Sequence, residues 1–188
     1  MNPKLIIVAG ANGSGKTTFA IPYTQEKGYP FLNADEIAKE LIEKGEQNAM
    51  LKAGRIFFKN LDEWLTEKRS FVVETTLSGT YINKVAERAK KSGYEVQIIY
   101  LFLENENICV DRVKSRVKKG GHDVPVEDIN RRYFRSKRNF WENFTVLSDK
   151  WIMYYNGEQG YQKVAAGLKG ESYTVFNTGL FDLFHKNI

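Results

Sequence analysis

Residues Gly10–Thr17 read G-A-N-G-S-G-K-T, and they follow directly on Lys4–Ala9 (K-L-I-I-V-A), an apolar run of strand length. Two glycines, one lysine and one Ser/Thr at this spacing arise by accident in roughly 1% or fewer of chains this long. The strand before and the helix-forming Thr17–Ala20 (T-T-F-A) after supply the context that a Walker A phosphate loop requires. In such a loop the glycines let successive backbone N–H groups point at a polyphosphate, and the following helix adds its positive N-terminal end. Gly10, Ala11, Asn12, Gly13, Ser14, Gly15, Lys16, Thr17 and Thr18 are therefore the expected nucleotide-binding residues. Lys16 is placed to reach the β and γ oxygens of ATP or GTP, and the Thr17 hydroxyl to ligate Mg²⁺.

That strand–loop–helix start constrains the rest. Further strand-length apolar runs fall at Phe31–Asn33, Phe71–Glu74, Val96–Leu103 and Trp151–Tyr155, separated by stretches of helical spacing. L-I-I-V-A and V-Q-I-I-Y-L-F-L are continuously apolar, which is how a parallel strand covered on both faces reads. The expectation is a three-layer α/β/α P-loop fold with a mainly parallel sheet. From Glu46 to Lys68, the apolar positions Met50, Ala53, Ile56, Phe57, Leu61, Trp64 and Leu65 recur every three or four residues, predicting a long amphipathic helix. Pro22, five residues beyond Thr17, predicts a short or bent first helix. The tail from Glu171 alternates S-Y-T-V-F, turns at N-T-G and reads L-F-D-L-F, predicting a hairpin or added edge strand over 171–184.

At 188 residues the chain suits one domain, 1–188, able to bury about 70% of its unfolded surface. A net charge of +5 and a pI of 9.1 favour anionic partners without choosing between a nucleotide and a nucleic acid. A lone cysteine, Cys109, forms no internal disulfide, and no signal-peptide pattern precedes the first strand. With a mean hydropathy of −0.45 and no membrane-length apolar run, the expected location is the cytoplasm.

In an open α/β sheet, ligands bind beyond the carboxyl ends of the strands. Asp35 follows the second run within N-A-D-E, Glu74 ends the third ahead of Thr75 and Thr76, and Asn156 follows the last. Asp35 suits a general base for an acceptor hydroxyl, and equally a helix cap. An ionisable group closing a buried strand needs a partner, so Glu74 is expected to meet a substrate hydroxyl or Mg²⁺-bound water. Thr76 suits either a substrate donor or a cap on the next helix. Between Arg112 and Arg138, ten Lys/Arg face three acids, on two helical stretches flanking G-G-H-D-V-P. Arg112 and Arg116 lie one turn apart, as do Arg131 and Arg135. This is the pattern of a lid that brings guanidinium groups to a migrating phosphoryl. His122 has only His185 for company, so no histidine metal site is expected.

These residues together resemble the zeta-toxin family of P-loop kinases, in particular its compact bacterial branch. The resemblance rests on A-G-A-N-G-S-G-K-T-T at Ala9–Thr18, N-A-D-E at Asn33–Glu36, A-G-R at Ala53–Arg55 and V-V-E-T-T at Val72–Thr76. It continues with R-V-K-K-G-G-H-D-V-P at Arg116–Pro125 and I-N-R-R-Y-F-R-S at Ile129–Ser136. It implies strand order 2-3-1-4-5, Asp35 as base, Arg55, Glu74 and Thr76 at the acceptor, and Arg116, Arg131 or Arg132 on the phosphates. It also implies a small-molecule hydroxyl acceptor, nucleotide sugars being one such class, and a small antitoxin as partner. Where those toxins carry E-x-T-x-R, this chain has Ser78 in place of the arginine. Two other readings stay open. One is an RNA or DNA end kinase using the basic segment with Tyr133, Phe134, Phe140 and Trp141; the other is an ATP-hydrolysing switch acting on a protein partner.

Overall fold

The computed structural model describes residues 2–186 and 188. Its seven strands are β1 (Lys4–Ala9), β2 (Phe31–Leu32), β3 (Phe71–Thr75), β4 (Glu95–Phe102), β5 (Lys150–Gly157), β6 (Gly160–Leu168) and β7 (Thr174–Val175). They form one sheet in the order β2-β3-β1-β4-β5-β6-β7. The first five are mutually parallel in the expected 2-3-1-4-5 order, and β6 and β7 extend the sheet antiparallel beyond β5. Packed around the sheet are α1 (Lys16–Lys27), α2 (Ala34–Glu43), α3 (Ala49–Thr66), α4 (Tyr81–Lys91), α5 (Glu106–Val117) and α6 (Val126–Asn139). A π-helical turn at Phe140–Phe144, the short α7 (Thr145–Leu147) and α8 (Thr178–His185) complete the chain.

The continuous hydrophobicity of β1 is explained by its two buried faces. Leu5, Ile7 and Ala9 join a cluster that includes Leu61 and Leu65 of α3, Val85 and Ala89 of α4, and Phe184 of α8. Ile6 and Val8 point the other way, into a cluster with Ala20 of α1 and Ile99 and Leu101 of β4. A third cluster joins Cys109, Val110 and Val113 of α5 to Ile129 and Tyr133 of α6, and reaches Ala11 of the phosphate loop. The basic helices are thus seated on that loop by apolar contact. Parallel register aligns Val8 with Glu74 and Ala9 with Thr75 and Tyr100, so β1, β3 and β4 end on a common rim.

Three expectations are corrected. Helix α1 runs twelve residues through Pro22 rather than stopping short. Pro22 and Thr18, whose carbonyl loses its i+4 donor there, both face solvent, so water can take the place of the missing N–H. In the tail, Thr174–Val175 is the added edge strand, antiparallel to β6, but there is no hairpin over 171–184: Thr178–His185 is a helix capped by Asn177, whose side chain accepts from Leu180 N. The strand order is longer than expected, because Gly160–Leu168 turns back on β5 through Gly157–Gly160.

Candidate active site

The loop Gly10–Gly15 closes against three neighbours. A Cβ at Gly13 (φ 80°) would meet the Cys109 carbonyl oxygen at 2.6 Å, and one at Gly15 (φ 89°) would meet Asn156 Nδ2 at 2.3 Å. Only glycine satisfies both the left-handed backbone and the close approach. Asn156 Nδ2 donates to Ser14 O at 2.9 Å, and the Tyr161 hydroxyl donates to Gly15 O at 2.9 Å. The β5–β6 hairpin therefore holds the loop by its carbonyls, while Ser14 N donates within the loop to Ala11 O at 3.2 Å. The hydroxyl of Ser14 is buried with no partner among the described residues. An orphaned buried donor within a loop of this kind marks a place for an acceptor atom of the ligand.

Below the loop lies a buried polar network. Lys16 Nζ donates to Ala11 O at 2.9 Å and stands 3.9 Å from Glu74 Oε1. The Thr17 hydroxyl donates to the Glu74 carboxylate at 2.9 and 3.1 Å, and Asn33 Nδ2 donates to Glu74 Oε2 at 2.9 Å. Glu74 thus has the partner that its burial demands, supplied by the protein itself. Burial pushes its carboxyl above the ordinary value, while Lys16, Thr17 and Asn33 pull it back. Burial likewise holds the Lys16 ammonium below its ordinary value, against the attraction of Glu74 and Asp35. Both members of the pair are moved toward neutrality by the same cause, desolvation. Thr17 Oγ1 and the Glu74 carboxylate are adjacent hard oxygen donors, a set that suits Mg²⁺ arriving with a nucleotide's phosphates.

Asn33 settles the position of Asp35. It is Asn33 that caps α2, its Oδ1 accepting from Asp35 N at 2.8 Å. Asp35 stands exposed in the first turn, and its carboxylate bonds to no partner among the described residues, yet its charge acts on both Lys16 and Glu74. Beside it opens a cleft of 290 Å³. Its walls are Ala34 of α2, Gly54, Phe57 and Phe58 of α3, Glu74 and Thr75 of β3, and Gly79, Tyr81 and Ile82 at the start of α4. Glu74 belongs to both the cleft and the Lys16 network. Arg55 is exposed on α3 and is not among the residues that line the cleft. Thr76 pairs with the Ser78 hydroxyl at 3.0 Å and does not cap α4, which begins at Tyr81.

The lid arginines separate by partner. Arg132 Nη1 donates to Asn12 Oδ1 in the phosphate loop at 3.2 Å, while its Nη2 shares the Asp128 carboxylate with Arg131 at 3.5 Å. Arg112 donates to the Asn156 carbonyl at 2.9 Å, tying α5 to the hairpin. Arg116 folds back to the His122 carbonyl at 2.7 Å, and still acts electrostatically on Lys16. Arg131 is exposed and paired with Asp128 at 2.6 Å. Of the aromatics in this segment, Tyr133 and Phe140 are buried and Trp141 packs on His185 at 4.3 Å between ring centres. Three of the four side chains that an RNA-end reading would use are thereby committed to packing. Sequence reasoning missed Asn33 and Tyr161. Asn33 carried a signal, an Asn between strand and helix; Tyr161 carried none.

The model of the family described as "Zeta toxin" matches residues 1–159. The chain belongs to the zeta toxin family. An uncharacterized protein of Haemophilus influenzae (strain ATCC 51907 / DSM 11121 / KW20 / Rd) is 31% identical over 133 residues, covering 71% of this zeta toxin family member and 94% of that protein. A shikimate kinase of Thermodesulfovibrio yellowstonii is 23% identical over 120 residues, covering 62% of this chain and 67% of the enzyme. Among solved structures, the AvrRxo1-ORF1:ORF2 complex with ATP superposes with a TM-score of 0.73 at 20% identity, over 96% of this chain. This chain spans 63% of the length of that one. A structure from the PezAT toxin–antitoxin system of Streptococcus pneumoniae superposes with a TM-score of 0.61 at 16% identity, over 99% of this chain and 86% of that one. The fold is a kinase-type P-loop α/β fold. Among the described residues, no helix is long and apolar enough to cross a membrane.

Proposed function

We propose that this protein is an ATP- or GTP-dependent kinase that transfers the γ-phosphoryl group to a hydroxyl of a small molecule held in the cleft between α2, α3 and α4. The observation that carries the reading is that Glu74 is shared by the phosphate-site network and the cleft wall. A hydrolytic switch needs only the first cavity; a transferase needs two that meet. Asp35, free of any capping duty, accepts the proton of the acceptor hydroxyl. The acceptor oxygen then bonds to the γ-phosphorus as the bond from that phosphorus to the β–γ bridging oxygen breaks, and the nucleoside diphosphate leaves. Lys16 and Arg132, with Arg116 within electrostatic reach, balance charge on the transferred group. Thr17 and Glu74 would hold Mg²⁺, whose chemistry is to screen the β and γ oxygens. The toxin–antitoxin character of the PezAT system supports a small antitoxin protein as partner here.

The test is γ-phosphoryl transfer from labelled ATP with Mg²⁺, comparing wild type with Asp35→Asn. Transfer is expected to fall by about 100-fold or more, with ATP affinity unchanged within about twofold. Release of free phosphate alone, equal in both proteins, would replace this reading with that of a nucleotide switch.

A further inference from the structure

The chain leaves β3 through a turn that a leucine does not ordinarily make. Among the described residues, three non-glycine positions have a left-handed backbone: Asn48, Lys68 and Leu77. Asn48 and Lys68 are exposed at the two ends of α3, but Leu77 (φ 56°) is fully buried, in the cluster with Ile82 and Val85 of α4 and Phe140. A left-handed backbone is costly for a bulky residue, and it persists only where the surroundings hold it. Hydrogen bonds on both sides of Leu77 do so. Its N–H donates to Thr75 Oγ1 at 3.0 Å, the Thr76 and Ser78 hydroxyls bond to each other at 3.0 Å, and Asn139 Nδ2 donates to Leu77 O at 2.8 Å. Thr75 and Gly79, on either side of the turn, both line the cleft, and Glu74 immediately precedes Thr75.

Asn139 is the last residue of α6, where the helix gives way to the π-helical turn, and its Oδ1 faces Asn143 Nδ2 on that turn at 3.5 Å. Arg132, which reaches Asn12, lies seven residues earlier, so the two side chains share a face of α6 about 10 Å apart along its axis. Between them the helix is fastened to the end of β4. The Tyr133 hydroxyl is shared between the Leu103 and Glu104 carbonyls at 3.0 Å, and the Tyr100 hydroxyl donates to Ser136 Oγ at 3.0 Å. Two turns of one pinned helix thus touch the phosphate loop at one end and the turn behind the cleft wall at the other. Strained backbone held in this way, directly after a residue shared by both halves of a site, is a means of preorganisation.

We propose that Asn139 is a positioning residue: by holding the left-handed turn at Leu77, it sets the Thr75–Gly79 wall of the cleft at a fixed distance from the phosphate loop, so that a bound acceptor meets the γ-phosphate. Asn139 itself touches no reacting atom. This rests on the kinase reading, and the experiment separates the two. The small-molecule fraction of a cell extract is incubated with Mg²⁺ and ATP carrying ¹⁸O on the γ-phosphate, using wild type, Asp35→Asn and two Asn139 variants. Mass spectrometry follows labelled phosphate esters, and their rate of formation is expressed per nucleotide-binding site titrated with AMP-PNP. A smaller folded fraction lowers rate and sites together, so the rate per site isolates positioning from stability. Loss of the bond in Asn139→Ala should lower that rate about tenfold, with the Kd for AMP-PNP within about twofold. Asn139→Asp, which keeps the shape but replaces the donor with an acceptor, should do the same if the alanine variant does not fold. An unchanged rate per site in both variants overturns the inference and leaves the kinase standing. So does a Kd for AMP-PNP that rises as much as the rate falls, because the bond would then serve the nucleotide site and not the cleft wall. No labelled ester from wild type beyond that from Asp35→Asn overturns the kinase reading, and the inference with it.

Discussion

At the phosphate loop a methyl group at Gly13 would meet the Cys109 carbonyl oxygen at 2.6 Å, whereas beside the cleft one at Gly54 or Gly79 would meet nothing within 4 Å. The same residue type closes one half of the site and opens the other. The phosphate loop is tied at five points: Lys16 to Ala11, Thr17 to Glu74, Ser14 to Asn156, Gly15 to Tyr161, and Asn12 to Arg132. Around the cleft, aromatic rings stand half exposed and small residues leave room. A polyphosphate is the same at every turnover, so its cradle gains from being preorganised. The cleft half retains slack, and slack is where proteins on one fold diverge in function.

Substitutions on each side test this contrast. The largest effect is expected from Gly13→Ala, which combines a φ of 80° with a clash against backbone. Strain and overpacking of about 3 kcal/mol would weaken ATP binding by about 100-fold. Titration of a fluorescent ATP analogue measures it, and binding within threefold of wild type would break the contrast from the donor side. A middle-sized effect is expected from combining Asn156→Ala with Tyr161→Phe, each removing one bond to a loop carbonyl. At about 1 kcal/mol per bond, ATP affinity should drop by about tenfold or somewhat more. A melting temperature that falls while affinity holds would make the hairpin a scaffold only. The smallest effect, of opposite sign, is expected from Gly54→Ala in the interior of α3. Thermal unfolding should show a gain of about 0.5–1 kcal/mol, with ATP binding untouched. A loss of stability would mean that the space beside Gly54 is not vacant.

The parallel half of the sheet was legible because its strands are buried on both faces and read as unbroken apolar runs. The tail was not, because L-F-D-L-F fits two periods. Leu180, Phe181, Leu183 and Phe184 satisfy an i, i+1, i+3, i+4 helical face as well as they suggest a strand, and Asn177 reads equally as turn or cap. In the site, Lys16, Thr17 and Glu74 were legible as chemistry-bearing residues at strand ends, and the structure draws them into one network. Arg55 and Arg131 show the limit of that reasoning. Motif position gives a residue's place along the chain, but Arg55 lies outside the cleft lining and Arg131 is spent on Asp128, outcomes set by helix rotation and a local acid. Tyr161 sits on an antiparallel strand whose sequence, G-Y-Q-K-V-A-A-G-L, carries only a weak pattern.

The bonds that hold the phosphate loop span long stretches of chain: 120 residues from Asn12 to Arg132, 142 from Ser14 to Asn156 and 146 from Gly15 to Tyr161. Chains emerge from the ribosome N-terminus first, and contacts of such separation form late. The Walker sequence is therefore synthesised long before anything that braces it. A chain interrupted before Asn156 carries the full motif and neither carbonyl tie. For a member of a toxin family, this makes synthesis of the β5–β6 hairpin the step at which a complete phosphate cradle first exists.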